Sequence, residues 1–316
     1  MNLLITGAAG FLGAELARRA GERGHHVRAM IRRESRRERL ELPDDQIHIG
    51  DMTDPSTFPA AVAGIEGVIH CAATTSEGAP DEALSRRVNV EGTRLLLEAA
   101  WSAGARHWVQ ISSMSAHPGS TSVYGRTKLA ADECLRSTPT PPDWTILRPS
   151  LIYGPGDKGL VDKTIQLMRK LPVIPVIGRG DGRMRPVHVA DVAEAALLCL
   201  EREAVMGKTY MIGGADEVTL NDFFRSVARA VGLRRPLVHI PIPICLLLAR
   251  FFGLFLKKPP ITADNVQGVL QLQRVDTGPA LEDLGYSPLG LEEGLRTTYA
   301  PDTVTAHGPE TRSAGE

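Results

Sequence analysis

The sequence lacks any excess of charge. Its 36 Lys and Arg stand against 37 Asp and Glu, a formal net charge of -1, so no global field draws the chain to nucleic acid. It also lacks a Cys-x-x-Cys pair. Its four cysteines, Cys71, Cys134, Cys199 and Cys245, are scattered over 316 residues. That argues against a disulfide or zinc framework, points to reduced thiols in a cytosolic protein, and leaves no metal site expected. There is no internal repeat. A strand-like run starts at residue 2, which leaves no room for a signal or transit peptide, so a cytoplasmic location is expected. No apolar run reaches the roughly 20 residues that a membrane span needs.

What is present begins at once. Met1 to Ile5 is a short apolar run of strand length. Thr6-Gly7-Ala8-Ala9-Gly10-Phe11-Leu12-Gly13 follows, and Ala14 to Ala20 reads as a helix. Strand, glycine-rich turn and helix form the context in which such a fingerprint means dinucleotide binding. Gly7 turns the chain off the strand, Gly10 lets backbone approach a pyrophosphate, and Gly13 lets the helix pack closely. Free N–H groups and the helix dipole then meet the anion, with Ala9, Phe11 and Leu12 in the same loop.

The second strand is expected at His26 to Ile31. An NAD-binding unit would place an acidic residue about 20 positions after the fingerprint, to bond the ribose hydroxyls. This chain lacks it and has Arg32-Arg33 instead. Guanidinium groups suit a 2′-phosphate, which makes NADP the expected cofactor and NAD the alternative. The other reading of Arg32, Arg33, Arg36, Arg37 and Arg39, interleaved with Glu34 and Glu38, is a solvated helix face. Strand three, from Ile47, ends at Asp51-Met52. Asp51 and Asp54 also suit turn and cap chemistry before a helix at 55–63. Strand four, Gly67 to Ala73, ends in the small residues Cys71, Ala72 and Ala73, which let a cofactor lie against the strand end. His70 is expected to be a packed strand residue.

One long helix is expected from Asp81 to Ala103. Strand five, from Trp108, ends in Ser112-Ser113, and Tyr124-Gly125-Arg126-Thr127-Lys128 follows on a helix. The i, i+4 spacing puts Tyr124 and Lys128 on one face. A free tyrosine has a pKa of about 10, and the ammonium is expected to lower it.

These motifs resemble the extended and atypical short-chain dehydrogenases/reductases, the NAD-dependent epimerase/dehydratase superfamily. They are Thr-Gly-x-x-Gly-Phe-Leu-Gly, Val88-Asn89-Val90-Glu91-Gly92-Thr93, Tyr-x-x-x-Lys, and Leu147-Arg148-Pro149 with Tyr153-Gly154-Pro155-Gly156. The chain is most similar to atypical members related to the dehydrogenase-like accessory subunit of respiratory complex I. The resemblance implies that Ser113 bonds the substrate oxygen, with Ser112 the second choice. Tyr124 would transfer the proton, and Lys128 would also hold the nicotinamide ribose. Asn89 would support the site unless it is exposed. Asp51 and Met52 would flank the adenine, and Pro149, Ser150 and Leu151 would approach the nicotinamide. Arg148 is alternatively a buried, paired structural residue.

The expected fold is α/β, a Rossmann-type doubly wound parallel sheet with a smaller C-terminal substrate domain. Residues 1–156 and 184–214 would form the first, residues 157–183 and 215–300 the second, and 301–316 a disordered tail. The basic stretch 157–183, with Lys158 among its cations, should help cover the substrate cleft. Asp191 and Thr219 read as helix caps. Residues 241–256 form an apolar helix, interrupted by Arg250 and followed by Lys257-Lys258. It is either buried on two sides or docked peripherally on a membrane. The implied activity is NAD(P)-linked oxidation or reduction of a small molecule. The alternatives are a sugar-nucleotide epimerase/dehydratase and a non-catalytic nucleotide-binding assembly protein.

Overall fold

The computed structural model describes residues 1–75, 81–138, 143–157, 159–255, 266, 268–269 and 274–300, without the side chains of 253–255. The expectations for Lys158, for residues 256–258 and for the tail 301–316 lie outside them. The chain divides into two compact units. The first comprises Met1–Ile152, Val189–Gly213 and Val275–Pro288, and the second Tyr153–His188, Gly214–Arg274 and Leu289–Glu316.

Seven strands make the sheet of the first unit: β1 Asn2–Thr6, β2 His26–Ile31, β3 Ile47–Ile49, β4 Gly67–His70, β5 His107–Ile111, β6 Asp143–Pro149 and β7 Lys208–Ile212. Their spatial order is β7-β6-β5-β4-β1-β2-β3, all parallel. This is a Rossmann-type α/β fold. Leu3, Leu4 and Ile5 are wholly buried. Strands covered on both faces read as unbroken apolar runs, which is why the first residues looked as they did.

Helices cover both faces. α2 Phe58–Val62, α4 Thr93–Ser102 and α5 Val123–Ser137 enclose a core with Leu4, Phe58, Leu96, Trp108, Leu135 and Ile146. α1 Phe11–Glu22 packs on α7 Val189–Glu201, where Arg23 pairs with Glu194 and Glu201. Gly24, at φ +77°, ends α1 as the sequence suggested.

The helix expected over 81–103 is not uniform. α3 Glu82–Arg86 passes through a π-helical turn, Arg87–Gly92, before α4 begins. The wider turn holds the Asn89 and Gly92 of the signature, and such turns recur at functional sites. Asp191 is not an N-cap, because α7 already starts at Val189; it sits in the first turn, where the helix dipole favours an acid.

In the second unit, the stretch 157–183 contains α6 Leu160–Lys170 and the strand Ile174–Ile177, which pairs in parallel with Leu237–Ile240. A short antiparallel ribbon joins 183–184 to 218–219. Thr219 caps α8 Leu220–Ala230, its Oγ1 accepting from the Asp222 N–H at 3.1 Å. α9 Ile242–Phe255 belongs to this unit. α10 Gly278–Leu284 belongs to the first unit and α11 Leu291–Tyr299 to the second. Residues 153–156, 184–188 and 214 thus lie with the second unit and 275–288 with the first.

Candidate active site

The sheet order reverses between β1 and β4, and ligands of open α/β sheets bind in the crevice at such a point. A cavity of about 930 Å³ opens there, lined entirely by the first unit. The glycine turn forms one wall. Gly7 has φ +65°, and a Cβ on it would stand 2.9 Å from the Ala72 backbone. A Cβ on Gly13 would stand 2.2 Å from the Gly7 carbonyl oxygen. Bare backbone therefore faces the cavity at the start of α1, the arrangement a pyrophosphate needs.

Behind that wall runs a buried chain of hydrogen bonds. Thr6 Oγ1 accepts from the N–H groups of Cys71 (3.2 Å) and Ala72 (3.1 Å), so its one proton goes to His70 Nδ1 at 2.8 Å. His70 then carries its proton on Nε2 and donates to Thr93 Oγ1 at 2.9 Å. Thr93 donates in turn to the Asn89 carbonyl at 2.8 Å. His70 is fully buried, and burial, helped by the Lys128 charge, pushes its pKa down to about 3. It is neutral and structural.

Asn89 is 1% exposed and does not line the cavity. Its amide oxygen accepts from the Thr74 N–H (2.8 Å) and hydroxyl (3.3 Å). Its amide nitrogen donates to the Thr74 carbonyl (3.2 Å) and to Thr127 Oγ1 (2.9 Å). It joins the loop after β4 to α5. A Cβ on Gly92 would stand 2.4 Å from the Met52 carbonyl oxygen, which explains the glycine of that signature.

Ser113, Tyr124 and Lys128 meet at the far end of the cavity. The exit of β5 is tied to that of β6 by Ser112 N–H to Leu147 O (2.7 Å) and Met114 N–H to Pro149 O (3.0 Å). Ser122 caps α5, accepting from the Gly125 N–H at 3.0 Å. A Cβ on Gly125 would stand 2.1 Å from Ser120 Oγ and 2.4 Å from the Ser115 carbonyl oxygen. This glycine lets the loop of residues 115–120 rest on the helix beside Tyr124. The Tyr124 phenol shares a hydrogen bond with Ser113. Ser112 turns the other way and donates to buried Asp132 at 2.9 Å. Arg148 binds the same oxygen through Nε and Nη2 at 3.0 and 2.8 Å, the structural pairing.

One expectation is corrected. Lys128 does not lower the Tyr124 pKa; burial dominates and raises it to about 12, against the Ser113 bond, which lowers it. Tyr124 holds its proton throughout the physiological range. Lys128 itself is 2% exposed, its ammonium pushed down by burial and supported by Asp132. It forms no hydrogen bond or ion pair among the described residues while lining the cavity, so its amine is open to a ligand hydroxyl. The glycine cradle and this donor fit a nicotinamide dinucleotide.

Residues 3–213 match the NAD dependent epimerase/dehydratase family. The chain belongs to that family. Within it, the chain is 33% identical over 244 residues to a ceramide reductase of Caulobacter vibrioides, covering 76% of this chain and 73% of that one. It is 29% identical over 330 residues to a 2-alkyl-3-oxoalkanoate reductase of Stenotrophomonas maltophilia, at 95% and 99% coverage. Among solved structures it is similar to MoeE5 in complex with UDP-glucuronic acid and NAD, at 25% identity, a TM-score of 0.74 and coverage of 95% and 98%.

The epimerase/dehydratase cavity gathers most of the positions singled out from sequence. Gly7, Ala9, Gly10, Phe11, Leu12, Gly13, Arg32, Arg33, Asp51, Met52, Cys71, Ala72, Ala73, Ser113, Tyr124, Lys128, Pro149, Ser150 and Leu151 all line it, and Asn89 does not. The Asp51 carboxylate accepts from the Thr53 N–H and hydroxyl at 2.8 and 2.9 Å, a turn role. Thr74, Thr75, Met114 and Ser115 also line the cavity and carried no motif. Arg36 and Arg39 line it too. Glu34–Arg39 is a 3₁₀ helix, in which residues three apart eclipse one another. Arg36 and Arg39 therefore form one row along the cavity, with Arg33 lining it just before the helix, and Arg37 pairs with Glu34 at 3.3 Å on another. A period of three in the sequence was the available signal.

Proposed function

We propose that the protein is an NADPH-linked reductase of ketones on small, largely apolar molecules, acting in reverse as an alcohol dehydrogenase. One observation carries the reading: a protonated Tyr124 phenol, bonded to Ser113, lines the cavity of the glycine turn together with buried Lys128. Bound dinucleotide supplies the hydride. A substrate carbonyl oxygen accepts from Ser113 and Tyr124, which polarises the carbon. As negative charge develops on that oxygen, the Tyr124 proton moves to it and the product is a neutral alcohol. The Ser113 hydroxyl, whose bond favours the phenolate, stabilises the charge left behind. Phenols with high pKa values donate well only to strong bases, and the nascent alkoxide is one.

The cofactor assignment draws on the arginine row. Arg32, Arg33 and Arg36 form no ion pair among the described residues, so their guanidinium groups are available to a 2′-phosphate. The apolar substrate class draws on the ceramide and oxoalkanoate reductases among the relatives. The test is NADPH oxidation against a panel of 3-oxoacyl and other long-chain ketones, with Tyr124→Phe as control. The expected result is turnover that falls by about 10² in the variant, the usual scale for loss of a general acid. Unchanged turnover in Tyr124→Phe would overturn the assignment, as would epimerised sugar nucleotide without added cofactor.

A further inference from the structure

α9 has two faces. Cys245 is wholly buried and Ala249 nearly so. Ile244, Leu247 and Phe251, spaced i, i+3, i+7 on one line of the helix, are 48%, 68% and 56% exposed. Leu246 and, on the preceding strand, Val238 are exposed as well. Single exposed apolar residues are ordinary, whereas a contiguous patch marks an interaction site.

The charge around this stripe identifies its partner. From Phe223 to Ala263 the sequence holds seven Lys or Arg and no Asp or Glu, in a chain whose net charge is -1. Arg225 and Arg229 are paired with Asp222 and Glu292. Arg234, Arg235 and Arg250 form no ion pair among the described residues, and Lys257-Lys258 follow in sequence. We propose that the exposed face of α9 docks on an anionic lipid surface, with Ile244, Leu247 and Phe251 entering the boundary between headgroups and acyl chains. Basic residues beside an inserted apolar face are the composition such helices use. Spanning is excluded by length, since α9 has 14 residues against about 20 needed. A second copy of the chain is a poor occupant, because a self-complementary contact would set this cation-rich segment against itself.

The proposal stands apart from the reductase reading, because its test needs neither cofactor nor substrate. The full chain is sedimented with vesicles of phosphatidylcholine alone and of phosphatidylcholine mixed with phosphatidylglycerol. Binding is expected to the mixed vesicles only, weakening at 1 M salt, where the screening length falls to about 3 Å. Leu247→Ser with Phe251→Ser should reduce partitioning by at least about tenfold. Both side chains are exposed, so thermal stability should hold. Arg250→Glu, also at an exposed position, should reduce it about fivefold and carries the test independently should the double variant lose stability. Wild-type protein left in the supernatant with every vesicle would overturn the proposal. So would variants that bind as well as wild type, or a dimer that the double variant dissolves, which would assign the face to a second copy.

Discussion

The two ends of the dinucleotide cavity carry basic side chains in opposite settings. Lys128 is 2% exposed, with a buried carboxylate on the next turn of its helix. Arg32, Arg33, Arg36 and Arg39 are exposed, on or beside a 3₁₀ helix with no buried residue. Coulomb interactions grow as the effective dielectric falls, so a charge at the buried end acts strongly on a few atoms. At the arginine end, water and salt screen each charge, and one alone attracts an anion weakly. Fixed geometry at one end and redundancy at the other follow from burial alone.

The largest effect that would sharpen this contrast belongs to His70, at the buried side. Unfolded histidine binds its proton near pH 6.5, and folded His70 only near pH 3. Between those values the unfolded state binds more protons, so His70's contribution is whole above about pH 6.5 and is lost as pH falls toward 3. The full loss is about 5 kcal/mol from this residue. Urea titrations at pH 7 and pH 4 should show wild type losing more stability on acidification than His70→Gln. Equal losses would mean that the imidazole is not held neutral.

Next in size, Lys128→Met keeps the side-chain length and removes the charge. Turnover should fall by about 10² at low and at high salt alike, because salt ions do not reach a buried group. A loss that salt rescues would break the contrast. Gly125→Ala should then destabilise the fold by about 2 kcal/mol in a denaturant titration, since its Cβ would overlap the Ser115 carbonyl oxygen. The smallest effect belongs to the exposed end. Arg33→Ala or Arg36→Ala alone should weaken NADPH binding about fivefold, leave NADH binding unchanged, and become silent in high salt. A hundredfold loss from either one would show a single dedicated phosphate ligand instead of a row.

Where a motif encodes contact between backbones, the sequence was legible. Gly7 and Gly13 do what their spacing implies, because a Cβ would strike the neighbouring chain. Tyr124 and Lys128 share a helical face as i, i+4 residues must. What remained hidden depends on partners distant in sequence. The direction of the Tyr124 shift could not be read from a lysine four positions on, since burial sets it. Asn89 and Thr127 are 38 positions apart, and nothing local joins them. The arginine row was obscured by counting an α-helical face where the backbone is 3₁₀. α9 looked uniformly apolar because sequence does not say which neighbour covers which side.

That 3₁₀ helix has a consequence for how the protein can change. It buries no residue of its own, and substitutions at such positions usually alter stability by less than about 0.5 kcal/mol. Selection for a different dinucleotide can therefore act on Arg33, Arg36 and Arg39 one at a time. Each intermediate remains a folded protein with its Ser113–Tyr124 pair untouched. Asp132 and Ser112 have no such latitude, because both are buried and bonded to each other, and Asp132 to Arg148 as well. The arginine row is the part of this cavity that can drift, and the buried packing around Tyr124 and Lys128 is the part that is inherited whole.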